Sequence, residues 1–223
     1  MIRKARRRRA FVVSFTVYFA LLWALWETPA VYPLKIFVVL LHELSHAVAV
    51  WVSGGSVEWI TLDPDQGGVT FASGGNAFLA LSAGYLGSLF FGSILVIVAH
   101  LRRVHAAWVN AGVGALVLAL TIFYLRGAFA VFFGAAFGIG LLASARHLSE
   151  LWNRRLVLVL GMTSCLYAVL DIKSDVLDRP ALSSDAAILA DLTGLPTLFW
   201  GLLWIAVAVA TCAALLRWAW RRA

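Results

Sequence analysis

Residues 40–50 read LLHELSHAVAV and set two histidines and a glutamate inside an apolar run from Pro33 to Val52. In a helix, His42 and His46 lie on one face, one turn apart. At that separation two imidazole nitrogens can bind the same metal ion, and Glu43 can take a proton from a metal-bound water. The stretch therefore predicts a membrane helix that carries a metal site.

The setting of this motif favours a function for its ionisable residues. After Lys35, which lies near the predicted membrane edge, no charged residue occurs before Glu43. A lone intramembrane histidine often serves only as a hydrogen-bonded partner between helices. Three ionisable groups within five residues are expensive to place in a bilayer, and they stand in the order that a zinc hydrolase needs. We therefore favour a metal site over a structural hydrogen bond.

The composition is that of a polytopic membrane protein. The chain has 223 residues, of which 62% are hydrophobic and 13% charged, and its mean hydropathy is +0.90. A soluble domain of this size cannot bury so much apolar surface. No long polar linker divides the chain, so we expect one membrane-embedded domain over residues 1–223. Cys165 and Cys212 lie inside apolar runs and are expected to be buried thiols, without a disulfide.

The net charge of +7 is concentrated in two basic clusters beside apolar runs. Such clusters hold chain ends at the anionic cytoplasmic surface of a membrane, so they do not indicate nucleic acid binding. They predict a cytoplasmic N-terminus. The clusters consist of Arg3, Lys4, Arg6, Arg7, Arg8 and Arg9, and of Arg217, Arg221 and Arg222.

The apolar runs predict an all-α bundle of six to seven transmembrane helices. The first run could also be the apolar core of a signal peptide, but no small-residue cleavage site follows it cleanly, and we interpret it as a retained span. Seven alternating spans would place the basic C-terminus outside, against the positive-inside rule. Either one run does not cross fully or the C-terminal charges are overridden, and the side of the C-terminus stays open. The runs are 11–26, 34–52, 76–99, 108–125, 127–145, 156–170 and 198–216.

A segment with strand character follows the motif helix. Residues 57–62 are rich in β-branched and aromatic side chains, residues 63–68 are typical of a turn, and residues 69–71 can form a returning strand. We predict a short β-hairpin at the membrane surface, although the segment could also be only a loop. An exposed strand edge beside a hydrolytic site can pair with an extended substrate.

A catalytic zinc keeps three protein ligands and one open position, so His42 and His46 need a partner. The other histidines lie at apparent span edges, which leaves the aspartates of residues 171–191. Asp171 ends the sixth apolar run and can reach membrane depth. If the spans alternate, the second and sixth run parallel and bring their later parts to the same face. This argument favours Asp171 over Asp175 as the third ligand.

The carboxylates beyond Asp171 have ordinary explanations. Asp175 lies one turn further out. Ser184 or Asp185 can cap a short helix that ends at Gly194. Asp175 and Asp185 nevertheless remain alternatives for the third ligand.

These residues resemble the site-2 protease class of intramembrane zinc metalloproteases over residues 33–204. The matching features are the His-Glu-x-x-His helix, the Gly-rich strand-like segment after it, and a small-residue helix that contains Ala83-Gly84-Tyr85-Leu86-Gly87. The chain is most similar to a compact bacterial and plant branch. The further motifs of that branch correspond to Leu-Tyr-x-x-x-Asp at residues 166–171 and Ser-Asp-Ala at residues 184–186.

The resemblance implies zinc-dependent hydrolysis of peptide bonds in or near the bilayer. It implies Zn²⁺ as the cofactor, Glu43 as the general base, membrane-anchored proteins as substrates, and a place in a bacterial cytoplasmic membrane. The chain departs from the class at two motifs. Asp171 is followed by Ile172-Lys173, so the Leu-Asp-Gly motif is absent, and Tyr85 replaces the proline of Ala-Gly-Pro.

A non-catalytic membrane protein that keeps the protease fold is the alternative, either as a metal carrier or as a scaffold. A carrier predicts further ionisable residues along a path through several spans. Outside the motif the spans contain few, and Asn110 is the clearest polar residue. An intact Glu43 argues against a scaffold.

Overall fold

The computed structural model describes residues 2–26, 28–173, 176 and 184–222. Within these residues the chain forms helices and three short strands. In chain order they are α1 (Ile2–Ala24), α2 (Tyr32–Val52), β1 (Ser56–Leu62), β2 (Gly68–Ser73), α3 (Ala77–His100), α4 (Ala106–Phe123), β3 (Leu125–Arg126), α5 (Ala128–His147), α6 (Glu150–Lys173), α7 (Asp185–Thr193) and α8 (Thr197–Arg222).

Helices α2 to α6 and α8 are long and apolar enough to cross a bilayer, which gives six candidate spans among the described residues. The predicted all-α bundle of six to seven transmembrane helices is therefore confirmed. The apolar part of α1 that can be described is shorter, Phe15–Ala24. About 20 apolar residues are needed to cross the hydrocarbon core of a bilayer, so α1 differs from the other spans.

Small residues let α3 approach both neighbouring helices closely. A side chain at Gly87 would overlap Ser45 of α2. On the other side of α3, a Cβ atom at Gly92 would lie 3.0 Å from the Gly161 carbonyl oxygen of α6. Without a side chain at these positions the helix backbones pack in direct contact. Helix α3 thereby becomes the central element against which the motif helix is fixed.

The predicted hairpin is confirmed as β1 and β2, which pair antiparallel. A third strand was not predicted: β3 pairs parallel with β1 through Ile60 opposite Leu125, in a sheet of order β2-β1-β3. The apolar run of residues 108–125 predicts that Leu125 ends a span. Its backbone instead continues the sheet, because the Ile60 N–H donates to the Tyr124 carbonyl at 2.9 Å. The hairpin is thus fixed to the bundle, and one edge of β2 has no strand partner within the described chain.

The predicted short helix before the last span is confirmed as α7. Ser184 caps it, since its hydroxyl accepts a hydrogen bond from the Ala187 N–H, and Gly194 ends it with φ 74°. On α7, Leu189 is fully buried and belongs to one cluster with Tyr85 of α3 and Trp204 of α8. This cluster fixes the position of the first residue of α7, Asp185.

Candidate metal centre

The motif histidines face each other across one turn of α2. Their ring centroids are 4.7 Å apart, and the His42 ring also packs edge-on against Tyr85, again at 4.7 Å. His46 Nδ1 lies 2.7 Å from the carbonyl oxygen of Ala80. A carbonyl can only accept, so Nδ1 donates, and in the neutral ring Nε2 then keeps an electron pair that can bind a metal.

Asp185 brings a carboxylate to both imidazoles. Its Oδ2 atom lies 3.0 Å from His42 Nε2 and 3.2 Å from His46 Nε2. Ligand atoms about 2.0–2.2 Å from a tetrahedral zinc lie about 3.3–3.6 Å from one another, so these two distances are slightly shorter than those between zinc ligands. Burial raises the pKa of the Asp185 carboxyl, but its interactions with His42 and His46 lower that pKa more, to below its ordinary value.

The environment of Asp185 Oδ2 fits a cation. Although it lies close to both nitrogens, this buried oxygen has no hydrogen-bond partner among the described residues. A buried polar atom without a partner costs about 1–3 kcal/mol, and more when it is charged. A divalent cation between Oδ2 and the two Nε2 atoms would satisfy all three. Two imidazoles and one carboxylate are ligands that suit Zn²⁺.

Glu43 is buried beside these ligands and is fixed by strand β2. Potential ligand atoms of His42, Glu43 and His46 all lie within 4.8 Å of one another. The Thr70 hydroxyl donates to Glu43 Oε2 at 2.7 Å and is also 3.0 Å from the Glu43 carbonyl oxygen. A Cβ atom at Gly68 would lie 2.7 Å from Glu43 Oε1, so only glycine leaves room there for the carboxylate.

The site opens into a cavity of about 850 Å³ between α2, α3, α6, α7 and the hairpin. Lys35, which is only 3% exposed, and Asp171 also line it. The Lys35 ammonium lies over the Trp26 ring, 4.5 Å from its centroid. The cavity is large enough to hold a short segment of an extended polypeptide beside the three candidate ligands.

Gly84 of α3 provides the space for the imidazoles. A Cβ atom there would overlap His42 Nε2 and would lie 2.7 Å from His46 Cε1. Both rings occupy the space that a side chain at residue 84 would fill. A side chain at residue 84 would therefore displace the ring nitrogens from their present positions.

We expect Gly84→Ala to lower zinc occupancy at least about tenfold, because a ligand displaced by even 1 Å leaves the coordination distance of zinc. Gly140→Ala is the matched control, since a Cβ atom there has no neighbour within 4 Å. Metal analysis of both purified variants measures the effect. Full zinc occupancy in Gly84→Ala would contradict this account of the site.

The structure brings together three of the four predicted site residues, His42, Glu43 and His46. The fourth, Asp171, lies on the wall of the same cavity, and its role as the third ligand stays a prediction. Asp175 lies outside the described residues. Asp185, which sequence analysis explained first as a helix cap, is the carboxylate in contact with both imidazoles.

Sequence reasoning missed Thr70 as the partner of Glu43. The residue pattern predicts that Thr70 belongs to the hairpin, but it does not predict which residue of α2 lies beside Thr70. For Asp185 a signal was present, because the adjacent Ser184 suffices to cap α7 and leaves the aspartate without a role.

The fold and the site together define the class of protein. It is a bundle of membrane helices that encloses a His-Glu-His cluster able to hold a metal ion. A family model described as Peptidase M50B-like matches residues 15–215. The chain belongs to this site-2 protease-type family and is an integral membrane protein. Membership supports an intramembrane metalloprotease function in general. No curated protein and no solved structure matches the chain.

Proposed function

We propose that the chain is a zinc-dependent intramembrane endopeptidase that hydrolyses peptide bonds of membrane-anchored proteins. The observation that carries this proposal is the buried Glu43 carboxylate beside His42, His46 and Asp185, at the wall of a large cavity. Ionisable groups at membrane depth are rare and mark functional sites. Here they are grouped as a hydrolytic metal site requires.

We assign the metal ligands to His42 and His46 of α2 and to Asp185 of α7. When bound, Zn²⁺ polarises a substrate carbonyl and makes water a nucleophile at neutral pH. The Ala80 carbonyl orients His46 through Nδ1, and Tyr85 supports the His42 ring. Such supporting contacts fix the direction of the Nε2 electron pairs.

Glu43 is the general base of the proposed reaction. Its carboxylate takes a proton from the attacking water as the water oxygen bonds to the carbonyl carbon. Glu43 then returns that proton to the amide nitrogen as the C–N bond breaks. The Thr70 hydroxyl donates to Glu43 Oε2 and so holds the carboxylate in place beside the imidazoles.

Strand β2 is the proposed binding edge for the substrate. Gly68, Thr70 and Ala72 alternate along β2 and line the cavity, as Val69 does too. Val69, Phe71 and Ala72 are exposed. An extended substrate segment can add to the unpaired edge of β2 by backbone hydrogen bonds. The small side chains on the cavity side leave room for it beside Glu43.

The contacts of Asn110 weaken the carrier hypothesis. Its amide donates to Asn153 Oδ1 at 2.7 Å, so it joins α4 to α6 as a structural contact. Among the described residues, Lys35 and Glu43 are the buried Lys, Arg, Asp or Glu side chains. Both line the cavity beside the histidines. Within the described residues, no further buried Lys, Arg, Asp or Glu marks a path through other spans, as a carrier would require.

We predict one zinc ion per chain, lost in the His42→Ala, His46→Ala double variant. Two imidazoles are costly to place in an apolar membrane helix, and a bound metal ion offsets this cost because it coordinates a nitrogen of each ring. Metal analysis of purified protein tests this, with His105→Ala as the control because His105 is exposed at a helix start. Stoichiometric zinc in the double variant would reject the site, and cleavage of a membrane-anchored reporter that survives chelation would reject the mechanism.

A further inference from the structure

The helix ends of the bundle gather into two opposite groups. The first, which we call the basic end, contains the C-terminus of α3 and the N-termini of α4 and α6. Glu150 at the start of α6 accepts a hydrogen bond from the Ala106 N–H of α4 at 3.0 Å. Arg154 donates to the carbonyls of Ala99 and Leu101, where α3 ends, at 2.9 and 3.1 Å. The cation thereby neutralises the negative end of the α3 dipole.

The last helix ends at the basic end. Ala219 of α8 lines a small apolar cavity together with His100, the final residue of α3. The His100 ring also contacts the Trp218 ring, with centroids 5.6 Å apart. The basic cluster that closes the sequence therefore lies where α3 ends.

The first helix begins at the same end, because α1 runs parallel to α6. The Tyr18 hydroxyl lies 2.7 Å from Thr163 Oγ1 of α6. Just beyond the end of α1, the Trp26 ring lies 5.5 Å from the ring of Tyr167, which is further along α6. Since α6 starts at the basic end, so does α1.

The second group, which we call the site end, contains the C-terminus of α2 and the N-terminus of α3. Ser53 Oγ accepts a hydrogen bond from the Asn76 N–H at 2.9 Å. The connection between α4 and α5 lies there too, since the Trp51 and Tyr124 rings are 5.3 Å apart.

These positions resolve the conflict between span number and charge. Helix α1 begins at the basic end and α2 finishes at the site end, so together they make one crossing. Five further crossings, by α3, α4, α5, α6 and α8, return the chain to the basic end. The first and last helices therefore place their basic clusters on one side of the membrane.

Charge divides sharply between the two ends. Residues 53–76, which leave α2 and enter α3 at the site end, contain Glu58, Asp63 and Asp65 and no lysine or arginine. Residues 174–196, between α6 and α8, carry four aspartates against Arg179. Of the 18 lysine and arginine residues in the chain, all belong to the basic end except Lys35, Arg126, Lys173 and Arg179.

The candidate metal centre lies in the half of the bundle toward the site end. Its contacts on α3 are Ala80 and Gly84. At 1.5 Å per residue these lie about 5 to 10 Å along the helix axis from Ala77, and Gly84 lies about 24 Å from His100. The cavity wall continues to Ala77 and Gly74, which are exposed at the site end.

We propose that the basic end faces the cytoplasm and that the catalytic cavity opens on the opposite side of the membrane. Short connections rich in lysine and arginine stay on the cytoplasmic side. This orientation also defines the class of substrate, a statement that rests on the proteolysis proposed above. The substrates are membrane-anchored proteins whose cleavable segment lies in the non-cytoplasmic half of the bilayer.

Single cysteines at the two ends test this sidedness. In a Cys165→Ala, Cys212→Ala background, Ser73→Cys and Ala77→Cys report on the site end and Ser149→Cys on the basic end. All three positions are exposed. Intact cells are treated with a membrane-impermeant maleimide. The same variants are labelled in detergent, where all three thiols should react, so that unfolded protein is recognised.

We expect Ser73→Cys and Ala77→Cys to be labelled in intact cells at least tenfold more than Ser149→Cys. Ser149→Cys should react only after the membrane is disrupted. Labelling of Ser149→Cys in intact cells, with the other two protected, would overturn the proposal. The experiment needs neither zinc nor activity, so a failure of the proposed proteolysis would leave its result intact and remove only the statement about substrates.

Discussion

Glu43→Gln is expected to abolish cleavage of a membrane-anchored substrate while the protein keeps its zinc. The amide has the shape of the carboxylate and can still bond to the Thr70 hydroxyl, but it cannot take a proton from the attacking water. General-base catalysis contributes about 10²- to 10⁴-fold to a rate. We therefore expect turnover to fall by about that factor, measured with purified protein and a tethered reporter substrate, with zinc analysed in the same samples.

Glu58→Gln is the matched control for this experiment. It makes the same change in a glutamate that is exposed on β1, away from the imidazoles. Its turnover should equal that of the parent. Near-parental turnover by Glu43→Gln would exclude the general-base role and would favour a scaffold that keeps the protease fold.

Asp185→Ala is expected to lower zinc from about one ion per chain to near zero, and Asp171→Ala to retain it. The reason is the contact of Asp185 with both imidazoles: its Oδ2 atom lies 3.0 and 3.2 Å from the two Nε2 atoms. Asp171 lines the same cavity. Both changes remove one carboxylate from the same cavity, so each serves as the control for the other. Metal analysis after dialysis against a weak chelator measures the difference.

Loss of zinc in Asp185→Ala would not reflect loss of α7 itself. Ser184 still caps the helix, and removal of an acid from the first turn costs only about 0.3–1 kcal/mol. If instead Asp171→Ala loses zinc and Asp185→Ala keeps it, the sequence-based prediction of Asp171 is correct. The contact of Asp185 with both imidazoles would then be an ion pair formed without metal.

The sequence alone determined the parts of this protein that depend on local spacing. Two histidines four residues apart on a helix must share a face, so His42, Glu43 and His46 were recognisable without coordinates. The length of the apolar runs determined the helical bundle. The β-branched residues around Ile60 and the turn that follows determined the hairpin. The glycines of α3 are visible in the sequence, but nothing local shows that Gly84 makes room for the imidazoles.

Only the tertiary structure decided which distant groups meet. Asp185 reaches the histidines because Leu189 of α7 is buried against Tyr85 and Trp204, and no local pattern encodes that packing. Thr70 meets Glu43 because β3 fixes the hairpin at the depth of the motif, through a two-residue strand too short to predict. The side of each helix end was likewise undetermined, because hydropathy counts apolar runs and does not reveal that α1 and α2 share one crossing.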